Sequence, residues 1–100
     1  MIFSSQAFKD YRFLITGASS GIGAATAQLL TQFGAKLVLT SRNIEKLNVV
    51  ADALPIGSCY TRGIDLSESD LIYQEIKSLP QEWLPLHGIF HAAGNEFVRP

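Results

Sequence analysis

Three glycines stand close together in the sequence LITGASSGIGAATAQLL, which covers residues 14–30. Gly17, Gly21 and Gly23 follow an apolar run and precede a helix-like one. The amides at a helix N-terminus have no partner within the helix and carry partial positive charge, so they can bind an anion. A pyrophosphate reaches such amides only where no Cβ atom is in the way and the turn can adopt positive φ. The pattern therefore predicts a dinucleotide phosphate site, with an ordinary glycine-rich turn as the alternative.

The residues of this turn have separate expected tasks. Gly17 makes the tight turn, Gly21 admits the phosphates, and Gly23 lets the helix pack closely on the strand. Ser19 and Ser20 add hydroxyl donors beside them.

Strand-like and helix-like segments alternate along the chain and must position this turn. The strand-like segments are residues 11–16, 35–40, 58–64 and 86–92. The helix-like segments are residues 22–33, 44–54 and 68–79. Strands that are apolar enough to be buried on both faces predict a parallel sheet with right-handed crossovers. The fold class is therefore α/β, in the order βαβαβαβ.

The apolar spacing within each helix predicts the side that packs on the sheet. The expected buried residues are Ile22, Thr26, Leu29, Leu30 and Phe33 in the first helix, Ile44, Leu47, Val50 and Leu54 in the second, and Ile72, Ile76 and Leu79 in the third. Gly34 is placed to end the first helix in the left-handed conformation. Trp83 is expected to anchor the loop before the fourth strand.

Composition and charge describe one globular domain. The 100 residues are 47% hydrophobic and carry a net charge of −1, which is too little charge for a disordered chain. Without a basic surplus, nucleic acid is not an expected partner. The single cysteine, Cys59, excludes an internal disulfide and a thiolate zinc cluster. The apolar stretches are shorter than the ~18 residues of a membrane span and no secretory-signal pattern is present, so the cytoplasm is the expected location.

Four short motifs fall at corresponding places in this alternation. TGASSGIG covers residues 16–23, SRN covers 41–43 after the second strand, DL covers 65–66 after the third, and HAAG covers 91–94 after the fourth. TGASSGIG closely resembles the TGxxxGxG cofactor fingerprint of the classical short-chain dehydrogenases/reductases, and the other motifs resemble later landmarks of that family in the same order. The resemblance covers nearly the whole chain. It implies a Rossmann-type, doubly wound sheet that binds a nicotinamide dinucleotide.

The resemblance also implies roles for single residues. Asp65 would bind the adenine amino group, with Leu66 beside it. The HAAG motif departs from the family's usual NNAG in its first two residues, so side-chain contacts to the ribose do not carry over there, while the backbone role of Ala93 and Gly94 does. A similar HxAG occurs in the ketoreductase domains of polyketide synthases. The expected cofactor-binding residues are Gly17, Ser19, Ser20, Gly21, Ile22, Gly23, Ser41, Arg42, Asp65, Leu66, His91, Ala92, Ala93 and Gly94.

The end of the second strand bears on which dinucleotide is bound. An NAD site usually has an acidic residue there, which accepts hydrogen bonds from the ribose hydroxyls and repels a 2′-phosphate. Here that position holds Ser41, followed by Arg42. A hydroxyl and a guanidinium can donate to the phosphate, and the guanidinium compensates its charge. NADP(H) is therefore favoured over NAD(H), with a solvated surface charge as the alternative for Arg42. The missing carboxylate also argues against a methyltransferase or FAD-type site.

Catalysis in the family needs a tyrosine, a lysine four residues later and a serine. The chain contains one such pair, Tyr73 and Lys77 in YQEIK. The family's pair opens a helix after the fifth strand, whereas this pair lies between the third and fourth strands, on a helix that packs away from the crevice at the carboxyl ends of the strands. The pair is interpreted as a chance i, i+4 spacing, and no catalytic residue is expected within the chain. His87 and His91 have the same spacing without an evident third ligand, so no metal site is expected.

Together these observations predict the first half of a Rossmann fold, with strand order 3-2-1-4. Residues 1–100 are interpreted as a single NAD(P)-binding domain that is incomplete at its C-terminus. The resemblance implies an NADP(H)-dependent oxidoreductase for carbonyl reduction or alcohol oxidation, acting on a small-molecule or acyl-carried substrate, with a homo-oligomer expected. The chain alone is expected to be inactive and either to self-associate through Leu86, Ile89 and Phe90 of the fourth strand or to be partly unfolded. The alternative is a non-catalytic nucleotide-binding or association module, and the substrate and reaction direction stay open.

Overall fold

The chain folds into the alternating strands and helices that its sequence predicts. The computed structural model describes residues 6–66 and 69–92. Its elements are β1 (Arg12–Thr16), α1 (Gly21–Gln32), β2 (Lys36–Ser41), α2 (Ile44–Asp52), β3 (Cys59–Gly63), α3 (Ser69–Ser78) and β4 (Gly88–His91), with a short 3₁₀ helix (Gln81–Trp83) before β4. Each expected segment overlaps one observed element, and the predicted and observed ends differ by at most two residues.

The four strands form one parallel sheet in the predicted order β3-β2-β1-β4. Leu14 of β1 lies between Val38 of β2 and Ile89 of β4, which fixes the register at the centre of the sheet. The strand order reverses between β1 and β4, and ligands of such sheets bind at the carboxyl ends beside that point. Among the described strands β3 and β4 are the edges. On β4, Ile89 and Phe90 are 41% and 40% exposed.

The sheet has an apolar core on each face. α1 and α2 cover one face, which we call the α1–α2 face, where Ile15 and Leu39 are fully buried together with Leu47. α3 covers the opposite face, which we call the α3 face. There Leu14 lies in one cluster with Trp83, which is 8% exposed. Trp83 therefore anchors the segment before β4, as the sequence predicts.

The buried side of α1 differs from the side predicted from apolar spacing. Its buried residues are Gly23, Ala27, Leu30 and Thr31. Leu30 was expected there, but Ile22 and Leu29 are 61% and 54% exposed. A Cβ atom at Gly23 would lie 2.5 Å from a backbone oxygen of the preceding turn, so only small side chains fit where the helix begins. The prediction was wrong because hydrophobic spacing does not report how near two backbone segments come.

The ends and faces of the other helices agree better with the sequence. Gly34 follows α1 with φ +93°, the left-handed conformation that was predicted to end the helix. Leu47 of α2 is buried as predicted, and so are Leu54 and Leu79, which lie just after the ends of α2 and α3, although Ile44 is 40% exposed. Within residues 6–66 and 69–92, no helix is long and apolar enough to cross a membrane.

Aromatic side chains gather at the amino end of the sheet, a feature that the sequence patterns do not predict. The ring of Phe8 makes edge contacts with Tyr11, Phe13 and Phe33, at centroid distances of 5.7, 5.8 and 6.1 Å. The Phe8 amide also donates to the Phe33 carbonyl at 2.7 Å. We call these four residues the amino-end aromatic cluster. The cluster ties the segment before β1 to the end of α1 and packs against the core of the α1–α2 face.

Candidate dinucleotide-binding site

The glycine turn links β1 to α1 at the carboxyl edge of the sheet. Gly17 has φ +67°, in the left-handed region that favours glycine, so it makes the tight turn that the sequence predicts. The Ala18 amide donates to the Thr40 carbonyl at 2.9 Å, and the Ser20 amide donates to the Gly17 carbonyl at 3.0 Å. The turn is therefore held both to the end of β2 and to itself.

Gly21 and Gly23 differ in what surrounds them. A Cβ atom at Gly23 would lie 2.5 Å from the Gly17 carbonyl oxygen and 2.9 Å from the Cα of Ala18. The predicted close packing of the helix is therefore against the turn rather than against the strand. A Cβ atom at Gly21 would meet no atom of the described residues within 4 Å. Glycine at this position keeps open the space in front of the first amides of α1, which an approaching phosphate requires.

Ser20 caps α1. Its Oγ accepts a hydrogen bond from the Gly23 amide at 3.1 Å. Serine suits this position because its oxygen satisfies one of the amides that the first helical turn leaves without a partner. The sequence predicts only a hydroxyl donor here, so the cap is an additional role. The hydroxyl hydrogen of Ser20 can still be donated to an acceptor such as a phosphate oxygen.

A hydroxyl pair joins the glycine turn to the end of β2. Ser19 Oγ and Ser41 Oγ are 2.7 Å apart, although 22 positions separate them in the chain. Ser41 Oγ also accepts from the Asn43 amide at 3.1 Å, and Ser41 is only 6% exposed. The structure therefore brings together side chains of the TGASSGIG and SRN motifs. Since Ser41 is buried and bonded twice, Ser19 is the more accessible hydroxyl of the pair.

Arg42 and Asn43 form the junction between β2 and α2. Asn43 Oδ1 accepts from the Lys46 amide at 3.0 Å and caps α2. Arg42 is exposed directly after Ser41. Arg42 therefore stands in the chain between Ser41 and the cap of α2, and a guanidinium, a hydroxyl and a helix N-terminus together suit a phosphate group.

The segment after β3 presents one polar and one apolar side chain. Asp65 is exposed at the carboxyl edge, whereas Leu66 is only 4% exposed. The carboxylate is therefore accessible to a ligand while the leucine fixes the segment to the fold. Contact between Asp65 and an adenine stays a prediction.

The end of β4 is bonded to the end of β1. The Ala92 amide donates to the Thr16 carbonyl at 3.0 Å, and Ala92 is 4% exposed. His91 Nδ1 lies 3.3 Å from Thr16 Oγ1, so the histidine side chain is linked to β1. The predicted residues Ala93 and Gly94 lie outside the described residues.

The Tyr73–Lys77 pair is separate from this edge. Tyr73 is 65% exposed on α3, and Lys77 Nζ lies 5.2 Å from the centre of its ring. α3 packs on the sheet through Ile72 and Ile76 instead. The pair thus lies beside the core stripe and faces solvent, on the helix between β3 and β4 as predicted.

The two histidines are far apart along β4. His87 precedes the strand, its Nδ1 accepts from the Arg12 amide at 2.9 Å, and its ring lies 4.9 Å from that of Tyr11. His91 lies at the opposite end, beside the glycine turn. In the part of the chain that the structure describes, no three His, Cys, Asp or Glu side chains are grouped to hold a metal ion.

Cys59 is half-buried on the α1–α2 face. Burial raises the pKa of its thiol, and the Asp52 carboxylate raises the pKa further, against an opposing hydrogen bond with Ser58. The thiol is therefore protonated at neutral pH. It acts as a small apolar side chain.

Thr16 and Asn43 belong to the TGASSGIG and SRN motifs but have no predicted role of their own, although both shape the site. Thr16 is 1% exposed and holds the end of β4, and Asn43 fixes the start of α2. The signal for Asn43 was present, because asparagine before a helix-like segment is a preferred cap. The contact of Thr16 with β4 depends on the strand order, which single residue types do not report.

Comparison with known proteins gives consistent matches. A family model described as short chain dehydrogenase matches residues 12–100. The chain is 40% identical over 81 residues to an uncharacterized oxidoreductase of Staphylococcus aureus strain USA300, which covers 81% of the chain and 35% of that relative. It is 52% identical over 50 residues to an uncharacterized oxidoreductase of Listeria monocytogenes serovar 1/2a, which covers 50% of the chain and 20% of that relative.

Solved structures show the same arrangement. A citronellol catabolism dehydrogenase of Pseudomonas aeruginosa PAO1 matches with a TM-score of 0.74 and 29% identity, over 88% of the chain and 38% of that protein. A short chain dehydrogenase of Bacillus anthracis matches with a TM-score of 0.77 and 28% identity, over 87% of the chain and 36% of that protein. The chain therefore spans little more than a third of the length of these structures.

Proposed function

Because the chain belongs to the short-chain dehydrogenase family, we propose that its carboxyl edge binds the adenosine and pyrophosphate parts of a nicotinamide dinucleotide. The observation that carries this proposal is the open space at Gly21. At Gly23, two residues later, a Cβ atom would clash with the Gly17 carbonyl, whereas at Gly21 it would meet no atom of the described residues. Packing of the chain therefore requires glycine at position 23 but not at position 21. A ligand that approaches the backbone is the physical reason for glycine at the open position.

The beginning of α1 supplies the contacts for the pyrophosphate. The first-turn amides and the helix dipole favour a negative charge in front of Gly21. Ser20 satisfies the Gly23 amide and can donate its own hydroxyl hydrogen to a phosphate oxygen. No acidic side chain lies in the first turn of α1, so nothing there repels an anion.

We propose NADP(H) rather than NAD(H) as the dinucleotide. The end of β2 holds Ser41, where an NAD site usually has an acidic residue, so this position offers no carboxylate to the adenosine ribose. The Ser41 hydroxyl contacts Ser19 Oγ and accepts from the Asn43 amide. In this proposal the Ser19 hydroxyl and the guanidinium of the exposed Arg42 bind and neutralise the 2′-phosphate.

As part of the same proposal, the protein is an oxidoreductase that reduces a carbonyl group or oxidises an alcohol of a small-molecule or acyl-carried substrate. The bound nicotinamide supplies or accepts the hydride. The residues of this chain hold and orient the adenosine half of the cofactor, and we assign no catalytic residue among them. A homo-oligomer and a cytoplasmic location belong to the proposal as well.

Replacing Gly21 by valine tests the proposal. We expect Gly21→Val to weaken NADPH binding by about 2 kcal/mol or more, because the side chain blocks charge-assisted contacts between phosphate and helix. Calorimetric titration with NADPH measures the loss, and circular dichroism should be nearly unchanged because no described atom is displaced. Ala25→Val is the matched control, since Ala25 is exposed further along α1.

The two possible failures have different meanings. Equal NADPH affinity of Gly21→Val and the unchanged chain would refute the phosphate site at this turn. Failure of the unchanged chain to bind NADPH or NADH would leave the association module as the better interpretation.

A further inference from the structure

A charged pair that the proposed site does not use lies between β3 and α3. Glu75 of α3 has a side chain that is only 4% exposed, and its Oε2 lies 3.1 Å from Nε of Arg62 on β3. The Arg62 side chain is 36% exposed. The pair therefore consists of a buried carboxylate and a guanidinium that still reaches solvent.

The pair belongs to a polar layer at the carboxyl end of the α3 face. Arg62 is the register partner of Thr40, whereas the layer beneath them pairs Tyr60 with Val38. Among the described residues, Thr40 Oγ1 and Glu75 Oε2 are buried without an aligned hydrogen-bond partner. Arg62 therefore meets Glu75 as an ion pair and not through a well-directed hydrogen bond.

A buried ion pair of this kind contributes little to the stability of the fold. Removing a carboxylate from water is unfavourable, and its attraction to a guanidinium repays this only with good geometry and further hydrogen bonds. Apolar residues of similar size would serve the core as well. Burial of Glu75 without those hydrogen bonds points to a role in fixing the positions of β3 and α3 relative to each other.

The position of the pair shows which segment it fixes. Arg62 is the residue before Gly63, where β3 ends, and Asp65 follows in the connection to α3. Glu75 lies on the helix that the same connection enters. The ion pair therefore joins the two sides of the loop that carries Asp65, and Leu66 adds an apolar contact, being 4% exposed.

We propose that the Arg62–Glu75 ion pair is a positioning device that holds the Asp65 carboxylate at the amino group of a bound adenine. The inference rests on the proposed function, because it concerns the adenine side of the same site. Arg62 and Glu75 are positioning residues that act through Asp65 and touch no ligand themselves.

The test compares NADPH with its hypoxanthine analogue, in which a carbonyl oxygen replaces the adenine amino group. A correctly placed carboxylate accepts from the amino group and repels the carbonyl oxygen, so we expect the unchanged chain to favour NADPH by about tenfold. Glu75→Gln and Arg62→Met should reduce this ratio to about twofold or less, and Arg62→Lys should retain most of it. Asp65→Ala should remove it.

Arg12→Met is the matched control. Arg12 Nε donates to the Glu82 carbonyl at 3.1 Å at the amino end of the sheet, so this variant also removes a tethered guanidinium. A merely structural effect lowers the melting temperature without changing the affinity ratio, and Arg12→Met should behave in this way. If Arg62→Met does not fold, Glu75→Gln and Arg62→Lys decide the question.

The outcomes separate this inference from the proposed function. A chain that binds neither dinucleotide contradicts both. NADPH binding with the tenfold ratio kept in Arg62→Met and Glu75→Gln contradicts only the positioning role. NADPH binding without any preference for the amino group overturns the inference, while the result for Gly21→Val still stands.

Discussion

The two ends of the sheet are built from different kinds of residue. At the amino end, the aromatic cluster around Phe8 fills the space between β1 and α1 with rings in edge contact. At the carboxyl end, the connection from β1 to α1 consists of glycines and short hydroxyl side chains, and the space in front of Gly21 is open. Large side chains complete the fold at one end, whereas their absence leaves room for a ligand at the other.

This difference separates stability from binding along one sheet. Edge-to-face aromatic contacts add to hydrophobic burial and do not require a ligand. At the N-terminus of α1, by contrast, some amides have no hydrogen-bond partner within the helix, and they form hydrogen bonds with a ligand only when an anion binds. Substitutions at the amino end should therefore change the free energy of unfolding, and substitutions at the carboxyl end should change affinity.

The largest effect is expected from Phe8→Ala. Phe8 contacts three rings but is only half-buried, so its loss should lower the free energy of unfolding by about 2–3 kcal/mol, at or below the low end for a phenylalanine truncation. Urea denaturation measures the change. NADPH affinity of the folded fraction should stay the same, because Phe8 lies at the opposite end of the sheet.

Tyr73→Ala is the control for the loss of an aromatic ring. Tyr73 is 65% exposed, so its removal should change stability by no more than about 0.5 kcal/mol. If Phe8→Ala unfolds at the same urea concentration as Tyr73→Ala, the amino-end aromatic cluster does not stabilise the fold.

At the carboxyl end, the double variant Ser41→Asp with Arg42→Ala should exchange the cofactor preference. It adds a carboxylate where the adenosine ribose is expected and removes a guanidinium, so NADPH should lose about 2 kcal/mol of binding free energy relative to NADH. Parallel titrations with the two dinucleotides measure the difference.

Lys46→Ala is the control for the loss of positive charge near Arg42. It distinguishes a specific contact between Arg42 and the 2′-phosphate from a general effect of charge. Lys46 is exposed one helical turn after Arg42, so it carries the same charge nearby without lying at the strand end. We expect its removal to leave the ratio of NADPH to NADH affinity unchanged. The interpretation of Arg42 as a phosphate partner fails if the double variant keeps the original preference.

Local signals explain why the helices, strands and turns could be predicted from the sequence. Gly17 and Gly34 have the positive φ values expected of a tight turn and of a helix end, because only a few neighbouring residues determine these conformations. The order β3-β2-β1-β4 was implied by the resemblance of the four motifs to a family with a Rossmann-type sheet, and the structure confirms it.

Contacts between distant residues could not be predicted in this way. The Ser19–Ser41 pair and the contact of Phe8 with Phe33 depend on how closely the connected elements approach, which residue spacing does not report. The buried face of α1 was predicted wrongly for the same reason. Gly23, where the helix comes too near the turn for a Cβ atom, lies on the buried side of α1, whereas Leu29 is exposed although hydrophobicity favoured its burial.

The smallest effect is expected at Ser20, which belongs to both sides of the comparison because it caps α1 and borders the phosphate site. Ser20→Ala removes the oxygen that accepts from the Gly23 amide, so it should lower the free energy of unfolding by about 1 kcal/mol in urea denaturation. NADPH affinity should fall only slightly, because the backbone amides in front of Gly21 are retained.

Ser20→Asp sharpens the same prediction. Aspartate also accepts from the amide of the first turn, and its charge is favourable at a helix N-terminus, so stability should be kept or raised. The same charge repels a phosphate and should weaken NADPH binding more than Ser20→Ala does. If Ser20→Asp is the more stable variant and Ser20→Ala binds NADPH more tightly, the cap contributes to stability and the space beside it binds the ligand. If Ser20→Asp binds NADPH as tightly as the unchanged chain, the phosphate does not lie at this turn, whatever the stability of the helix.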